Sequence, residues 1–298
     1  MVRSGSGACV LVALAVLSNP QIRAPFKSDP PAMCDRCSAW NAPFDPFRIF
    51  GNTYYVGTAG LSSVLVTSEK GHILLDGGLP ESAEEIDRHI RRLGFRIEDV
   101  RLIVSSHTHF DHAGGIHALQ HASGAVVAAS PSGARALRLG SPTSDDPQYG
   151  FHGEFPRVPK VRVVRDGETL RVGPSLAITA HFTPGHTPGS TTWTWESCEG
   201  PRCLHVVYAD SLNAVAAPGF TYSSDPARVA AFRASIAAVG ALPCDVIVSV
   251  HPELTDLAAK LARRAAGDAD ALVNPQSCRE YAESGARSLD RQLAAEHN

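Results

Sequence analysis

The stretch His107-Thr108-His109-Phe110-Asp111-His112 decides how this chain is interpreted, because four of its six side chains can bind a metal ion. The run before it, Val100 to Ser106, predicts a buried strand. An exposed polar loop that happens to be rich in histidine is the alternative. A loop that leaves a buried strand and carries four ligand-type side chains favours a metal site.

The spacing of these side chains suggests two ions rather than one. In an extended segment residues two apart point the same way, so we expect His107, His109 and Asp111 on one side and His112 on the other. One ion cannot easily take all four from so short a loop, whereas two neighbouring ions can. Imidazole and carboxylate without thiolate suit zinc among the common metals.

The composition is that of an ordinary globular protein. The 298 residues suffice for one large domain or two small ones, and 44% apolar with 19% charged residues is typical. A net charge of -3 gives no reason to expect nucleic acid or an anionic membrane as a partner. No run of 18 apolar residues occurs, so no membrane-spanning helix is expected.

The N-terminus resembles a signal peptide over residues 1–18, with Arg3 as a positive start and Ala8 to Leu17 as an apolar core. A periplasmic or secreted protein is therefore expected, and a disordered cytosolic N-terminus is the alternative. Residues 19–45, rich in Pro and polar groups, are predicted to form an N-terminal arm. Residues 46–298 are predicted to form the main domain.

Removal of the signal peptide leaves six cysteines, an even number that suggests disulfides in an exported chain. Sequence proximity favours the pairs Cys34–Cys37 and Cys198–Cys203, which leaves Cys244 and Cys278 as the third pair. Two alternatives stay open: a four-cysteine zinc site made of the first two pairs, and a redox-active C-x-x-C at the first.

Strand-like and helical patterns follow each other from Phe47 onwards. Besides the strand before the metal-binding stretch, strands are predicted at Thr53–Val56, Ser63–Thr67, His72–Leu75, Val126–Ala129, Val161–Arg165, Glu168–Val172, Leu176–His181, Thr191–Trp195, Leu204–Tyr208 and Val246–Val250, and helices at Glu81–Leu93, Gly114–His121, Pro131–Leu139, Pro226–Val239, Leu254–Ala266 and Cys278–Glu296. The order is β-rich then helical, twice over, which predicts two αβ halves packed sheet against sheet. Residues 140–160 form a long loop, which is usually functional or mobile.

Two more histidines follow predicted strands. His186 lies in a Pro/Gly-rich turn, which presents a side chain rigidly, and His251 follows the last strand directly. Either alone is more often a surface histidine or one with its hydrogen bonds satisfied, but ligands gather at the carboxyl ends of strands in α/β sheets. We therefore expect two ligand sets, His107 with His109 and His186, and Asp111 with His112 and His251. The first leaves an open position for water, and two neighbouring zinc ions could share a hydroxide.

Asp76 and Asp210 also follow predicted strands. A buried carboxylate beside metal-bound histidines commonly holds their other N–H. We expect this supporting role for both, with a plain turn cap as the alternative.

The motif H-x-H-x-D-H, His186 in a T-P-G-H turn, Asp210 and His251 together resemble the metallo-β-lactamase superfamily, over about residues 47–298. The resemblance implies an α/β fold, a four-layer αβ/βα sandwich with the metal site at one edge of the two sheets. The superfamily also includes thioesterases, phosphodiesterases and nucleases, so the motif alone does not name a substrate.

Several shorter sequence features resemble the subclass B3 metallo-β-lactamases in particular. They are the stretches 51–57, 191–195 and 208–212, and the pair Cys244 and Cys278, which matches a C-terminal disulfide of that subclass. There the second zinc has Asp, His and His ligands, and a serine, matched by Ser211, stands where other subclasses carry a cysteine ligand. The usual hydroxyl residue two positions later, thought to help hold the substrate carboxylate, is Asn213 here. An amide still donates a hydrogen bond, so altered affinity is expected rather than lost activity.

The resemblance implies an exported, monomeric hydrolase with two Zn²⁺ per chain that opens the β-lactam ring of penicillins, cephalosporins and carbapenems and so confers antibiotic resistance. A zinc-bound hydroxide would attack the lactam carbonyl, with Asp111 as the catalytic residue that anchors the second zinc and orients the hydroxide. Ser211 and Asn213 would lie near the substrate carboxylate. One alternative is a thioesterase or lactonase in which Asp210 bridges both metals, and another is a metal-binding protein without turnover.

Overall fold

The structure is a computed structural model that describes residues 1–2, 26–151 and 153–297. Apart from its first two residues, the expected signal peptide over 1–18 lies outside the described residues. No helix in these ranges is long and apolar enough to cross a membrane.

The first half of the chain builds a sheet in which the strands lie in chain order. Its strands are β1 (Phe47–Phe50), β2 (Thr53–Tyr55), β3 (Val64–Val66), β4 (His72–Leu75), β5 (Val100–Val104), β6 (Val126–Ala129) and β7 (Val161–Val163). The helices of this half are α1 (Cys37–Trp40), α2 (Ser82–Arg92), α3 (Phe110–Ala113), α4 (Ile116–Ser123) and α5 (Pro131–Leu139). Strands β1 to β4 pair antiparallel, and β4 to β7 pair parallel, which requires the helical crossovers between them.

The second half builds a five-stranded sheet in the order β12-β11-β10-β9-β8. Its strands are β8 (Thr169–Val172), β9 (Leu176–Phe182), β10 (Thr191–Glu199), β11 (Arg202–Ala209) and β12 (Val246–Ser249), and its helices are α6 (Pro226–Gly240), α7 (Leu257–Ala265) and α8 (Ser277–Ala295). Only the β11–β12 pair is parallel.

Three apolar clusters show how the layers stack. Tyr55 and Val104 of the first sheet share a core with Trp193 and Val248 of the second, so the sheets pack face to face. A second cluster joins the outer face of the first sheet to α2, α4 and α5, and a third joins the outer face of the second sheet to α6 and α8. The layers are therefore helix, sheet, sheet, helix, and the predicted αβ/βα sandwich is confirmed.

The predicted elements occur with small shifts, and one of them is divided. The helix predicted over Leu254–Ala266 begins instead as a 3₁₀ turn, Pro252–Thr255, followed by α7. Asp256 between them has a φ of 51°, in the left-handed region, so the helix cannot run through it.

The described part of the N-terminal arm packs against the main domain. Phe26, Ala32 and Trp40 lie against the apolar cluster of the first half. The backbone N–H of Gly60 donates to the Trp40 carbonyl at 3.1 Å, and that of Ala59 donates to Ala42 at 3.0 Å. The short helix α1 in this arm has no counterpart among the predicted elements.

All three predicted disulfides are present: Cys34–Cys37, Cys198–Cys203 and Cys244–Cys278. The second closes the β10–β11 hairpin, and the third joins the segment just before β12 to α8. Because these cysteines are paired with each other, a four-cysteine zinc site does not form.

The Cys244–Cys278 bond should stabilise the fold more than the Cys198–Cys203 bond, because it spans 34 positions rather than 5. Chain entropy predicts a loss of about 3–4 kcal/mol for Cys244→Ser with Cys278→Ser, against about 2 kcal/mol for Cys198→Ser with Cys203→Ser. Urea unfolding of both double variants measures this. An equal or larger loss in the hairpin variant would contradict the entropic account.

Candidate metal centre

The ends of strands from both sheets bring the site together. The parallel neighbours β4 and β5 lead to Asp76 and His107, and the parallel neighbours β11 and β12 lead to Asp210 and His251. His186 lies in the turn between β9 and β10. Residues far apart in the chain therefore meet at one edge of the two sheets, as predicted.

His107, His109 and His186 form a compact, buried set. Their ring centroids lie 4.8 to 4.9 Å apart, and one ligating atom from each lies within 4.8 Å of the others. Within the described ranges, Nε2 of His107 is buried without a hydrogen-bond partner. A buried polar atom without a partner is costly, and a metal ion satisfies it. The donor set therefore fits zinc, which accepts three histidines and an open fourth position.

Hydrogen bonds from behind fix the orientation of two of these rings. Nδ1 of His107 lies 2.6 Å from Oδ1 of Asp210, and Nδ1 of His186 lies 2.8 Å from the Asn213 carbonyl oxygen. An acceptor at Nδ1 places the proton there and leaves Nε2 free as a ligand. The Asp210 contact is the supporting contact expected from the sequence.

The third ring is held by a residue that the sequence patterns did not indicate. Nε2 of His109 lies 3.2 Å from Oδ1 of Asp146, which is 3% exposed and lies in the 140–160 loop. This contact leaves Nδ1 of His109 as its ligating atom. The long loop was expected to be functional, but no local pattern marked Asp146 within it.

A second set adjoins the first. Oδ2 of Asp111 lies 3.2 Å from Nε2 of His112 and 3.5 Å from Nε2 of His251, and the two histidine atoms are 3.2 Å apart. Tetrahedral zinc with ligand distances of about 2.0 Å separates its ligands by about 3.3 Å. Nδ1 of His251 lies 3.1 Å from the Gly60 carbonyl oxygen, which leaves its Nε2 facing the set. The three atoms are therefore spaced as ligands of one ion.

The prediction that His112 points to the other side from Asp111 is wrong. The backbone is extended only as far as His109, with a ψ of 156°, and α3 begins at Phe110. The N–H of Ala113 donates to the His109 carbonyl at 2.9 Å, which closes this turn. Because Asp111 and His112 lie on a helical turn, they converge rather than point to opposite sides.

Asp76 supports the site indirectly, through hydrogen bonds with Ser106 and Tyr208. Its carboxylate accepts hydrogen bonds from the Ser106 N–H at 2.7 Å, the Ser106 hydroxyl at 2.5 Å and the Tyr208 hydroxyl at 2.9 Å. In the described part of the chain, no hydrogen bond joins this carboxylate to an imidazole ring. It instead ties the end of β5 to β11 of the other sheet, and so fixes the point from which His107 departs.

Burial and contacts with neighbouring charged groups together shift the pKa values of the ligand-type side chains. Burial is the largest cause that lowers the pKa of His186 to about 3. Burial likewise holds the pKa of His107 well below its usual value. Burial opposes ionisation of Asp111, but the attraction of His112 outweighs it and holds the pKa of that carboxyl well below its usual range. Burial also opposes charging of His109 and His251, but their contacts with Asp146 and Asp111 outweigh it and raise the pKa of both rings. Neutral imidazole and ionised carboxylate are the forms that bind a metal.

A cavity of about 300 Å³ opens onto both sets. Its lining includes Ser211 and Asn213, the two residues predicted to contact substrate. Three further lining residues, Arg36, Trp40 and Gln148, did not emerge from the sequence patterns.

The N-terminal arm supplies one wall of this cavity. The Trp40 ring packs on His251 with centroids 5.4 Å apart, and the Arg36 guanidinium lies 5.2 Å above the Trp40 ring. The Cys34–Cys37 disulfide lies just before Trp40 and constrains the backbone of this segment locally. That pair of cysteines was the one sequence signal that the arm has a fixed structure.

Known proteins resemble the chain in sequence and in fold. A family model for the metallo-β-lactamase superfamily matches residues 57–199. The solved structure of the Rm3 metallo-β-lactamase is 54% identical with a TM-score of 0.87, over 89% of this chain and 100% of that chain. The chain belongs to the metallo-β-lactamase superfamily. MEM-A1, a subclass B3 metallo-β-lactamase isolated from a soil metagenome library, is 52% identical with a TM-score of 0.84, over 87% of this chain and 98% of that chain.

These likenesses confirm the resemblance to subclass B3, and with the three-histidine set they support zinc binding. Among curated relatives, an N-acyl homoserine lactonase from Bacillus cereus is 28% identical over 151 residues. That match covers 42% of this chain, and the chain spans about half the length of that relative, 54%. The lactonase is therefore a more distant relative of this chain than the two metallo-β-lactamases.

Proposed function

We propose that this protein is a zinc-dependent hydrolase of the β-lactam amide bond, acting on penicillins, cephalosporins and carbapenems and so conferring antibiotic resistance. The observation that carries the proposal is the adjoining pair of ligand sets beneath one cavity. Subclass B3 relatives that match over most of the chain supply the substrate class.

Two zinc ions are proposed for this site. The first would be held by His107, His109 and His186, and the second by Asp111, His112 and His251. Support comes from the spacing of 3.2 to 3.5 Å within the second set and from the unpartnered Nε2 of His107. Bound zinc supplies Lewis acidity, which lowers the pKa of water and offsets the negative charge that develops as the amide breaks.

The protein's own groups would position and orient the reactants. Asp111 is ionised, and we propose that it anchors the second ion and orients the attacking water. Ser211 and Asn213 line the cavity, and the Asn213 N–H donates to the Ser211 hydroxyl at 3.3 Å. We propose that these two side chains hydrogen-bond the substrate carboxylate. The walls formed by Trp40 and Gln148 would restrict the orientation of the ring being opened.

Export to the periplasm or secretion remains part of the proposal. Three disulfides favour an oxidising compartment, because cytosolic thiols are kept reduced. We propose that the protein acts as a monomer, since one chain supplies every ligand-type side chain of both sets.

Turnover of a chromogenic cephalosporin by the purified protein tests the proposed activity. We expect hydrolysis that a chelator abolishes and added zinc restores, because bound zinc would supply the acidity that makes water a nucleophile near neutral pH. An N-acyl homoserine lactone assayed in parallel is the matched alternative substrate. Lactone hydrolysis without cephalosporin hydrolysis would overturn the β-lactam proposal.

The lactonase alternative deserves a test because of two observations. The curated relatives that match include N-acyl homoserine lactonases, and among the described residues Oδ2 of Asp210 is buried without a hydrogen-bond partner. An oxygen of this kind would be free to bridge two metals. The 2.6 Å contact between the other carboxylate oxygen and His107 favours the supporting role instead.

Asp210→Asn distinguishes these two roles. If Asp210 supports His107, the amide keeps a hydrogen-bonding group of the same shape, so zinc content should stay near wild type while activity falls about 10–100-fold. If Asp210 bridges the metals, the second zinc should be largely lost. Asp111→Asn is the matched control, because it removes a direct ligand in either case. Equal zinc loss in both variants, measured by elemental analysis, would refute the supporting role.

A further inference from the structure

The 140–160 loop carries a buried carboxylate that serves two groups at once. Oδ1 of Asp146 lies 3.2 Å from Nε2 of His109 and accepts the backbone N–H of Gln148 at 2.8 Å. Asp146 is 3% exposed and Gln148 is 4% exposed, and Gln148 lines the cavity. One oxygen atom therefore joins a metal-ligand ring to the cavity wall.

Backbone hydrogen bonds make this part of the loop a fixed turn. The Asp146 N–H donates to the Thr143 carbonyl at 2.8 Å, and the Tyr149 N–H donates to the Asp146 carbonyl at 3.0 Å. The Ala217 N–H donates to the Pro147 carbonyl at 2.8 Å, which ties the turn to the segment that follows Asn213. The carboxylate of Asp146 closes this turn from the inside, on the side of His109.

We propose that Asp146 is a positioning residue that fixes His109 as an Nδ1 ligand and, through the same oxygen, sets Gln148 in the wall of the substrate cavity. This inference rests on the proposed function for its substrate side, but its metal side concerns only the His109 ring. A carboxylate behind a ligating histidine fixes the ring and the proton-bearing nitrogen, and its loss typically costs 10–100-fold in metal affinity. Because the oxygen is shared, removing it should disturb zinc binding and substrate binding together.

The exposed neighbour Asp145 provides a matched control. It has the same side chain in the same turn, but its carboxylate lies 3.4 Å from Arg135 and 2.5 Å from the Thr143 hydroxyl, away from the histidines. A change at Asp145 therefore alters the charge of the loop without touching the His109 ring.

The test compares Asp146→Ala, Asp146→Asn and Asp145→Ala as full-length proteins. Zinc affinity is measured by competition with a chromophoric chelator, and KM and kcat with a chromogenic cephalosporin at saturating zinc. Asp146→Ala should lower the zinc affinity of the three-histidine set about 10–100-fold. It should also raise KM about two- to tenfold, the equivalent of one lost hydrogen bond. Asp146→Asn retains an acceptor oxygen and should restore both values to within about threefold of wild type, and Asp145→Ala should match wild type.

Wild-type zinc affinity in Asp146→Ala, or equal losses in Asp146→Ala and Asp146→Asn, would overturn the inference. Nitrogen NMR of the zinc-loaded wild-type protein decides it even if a variant fails to fold. We expect the His109 ring to be protonated at Nε2 and metal-bound at Nδ1, and the reverse tautomer would refute the proposal. Zinc affinity and the His109 tautomer are measured without turnover. If the β-lactam proposal failed, these two measurements would still test the role of Asp146.

Discussion

The metal centre depends on oxygen acceptors that hold imidazole rings from behind. Asp210 lies 103 positions from the ring of His107 that it holds, and the Gly60 carbonyl lies 191 positions from His251. Each contact fixes which nitrogen faces the metal, and together they join segments from both halves of the chain. The ligand sets therefore exist only when both halves are folded and packed against each other, so the stability of the fold and the geometry of the site are linked.

A buried carboxylate also joins the two sheets beneath the site. Asp76 has a φ of 58°, a backbone conformation that residues other than glycine rarely adopt. Hydrogen bonds from Ser106 and Tyr208 stabilise it there, and they connect the end of β5 to the opposite sheet. Strain of this kind persists when the surrounding structure over-determines it, and it is found at functional sites. The position of the first ligand, His107, follows from this junction.

The sequence predicts the parts of the site that have a local pattern. The meeting of His107, His186 and His251 at one sheet edge follows from their positions after predicted strands. The fold class follows from the order of strands and helices and from the family resemblance. Other parts have no such pattern. The turn that begins at Phe110 depends on packing, because a six-residue stretch can be extended or helical. Asp146 could not be predicted as a partner of His109, since that contact depends on how a long loop folds back.

Backbone hydrogen-bond acceptors also have no local sequence pattern and cannot be predicted from one. Every residue has a carbonyl, so nothing in the sequence indicates that Gly60 or Asn213 would hold an imidazole ring. The N-terminal arm is a comparable case. Its composition suggests a tail, yet Trp40 packs on His251. The nearby pair Cys34 and Cys37 is the sequence feature that indicates a fixed structure.

Anomalous X-ray scattering at the zinc edge, from crystals of the zinc-loaded protein, tests the central claim most directly. The account predicts two peaks a few ångströms apart. One should be bounded by Nε2 of His107, Nδ1 of His109 and Nε2 of His186, and the other by Asp111, His112 and His251. A single peak at full zinc loading, or a peak pair with Asp210 bridging the ions, would contradict it.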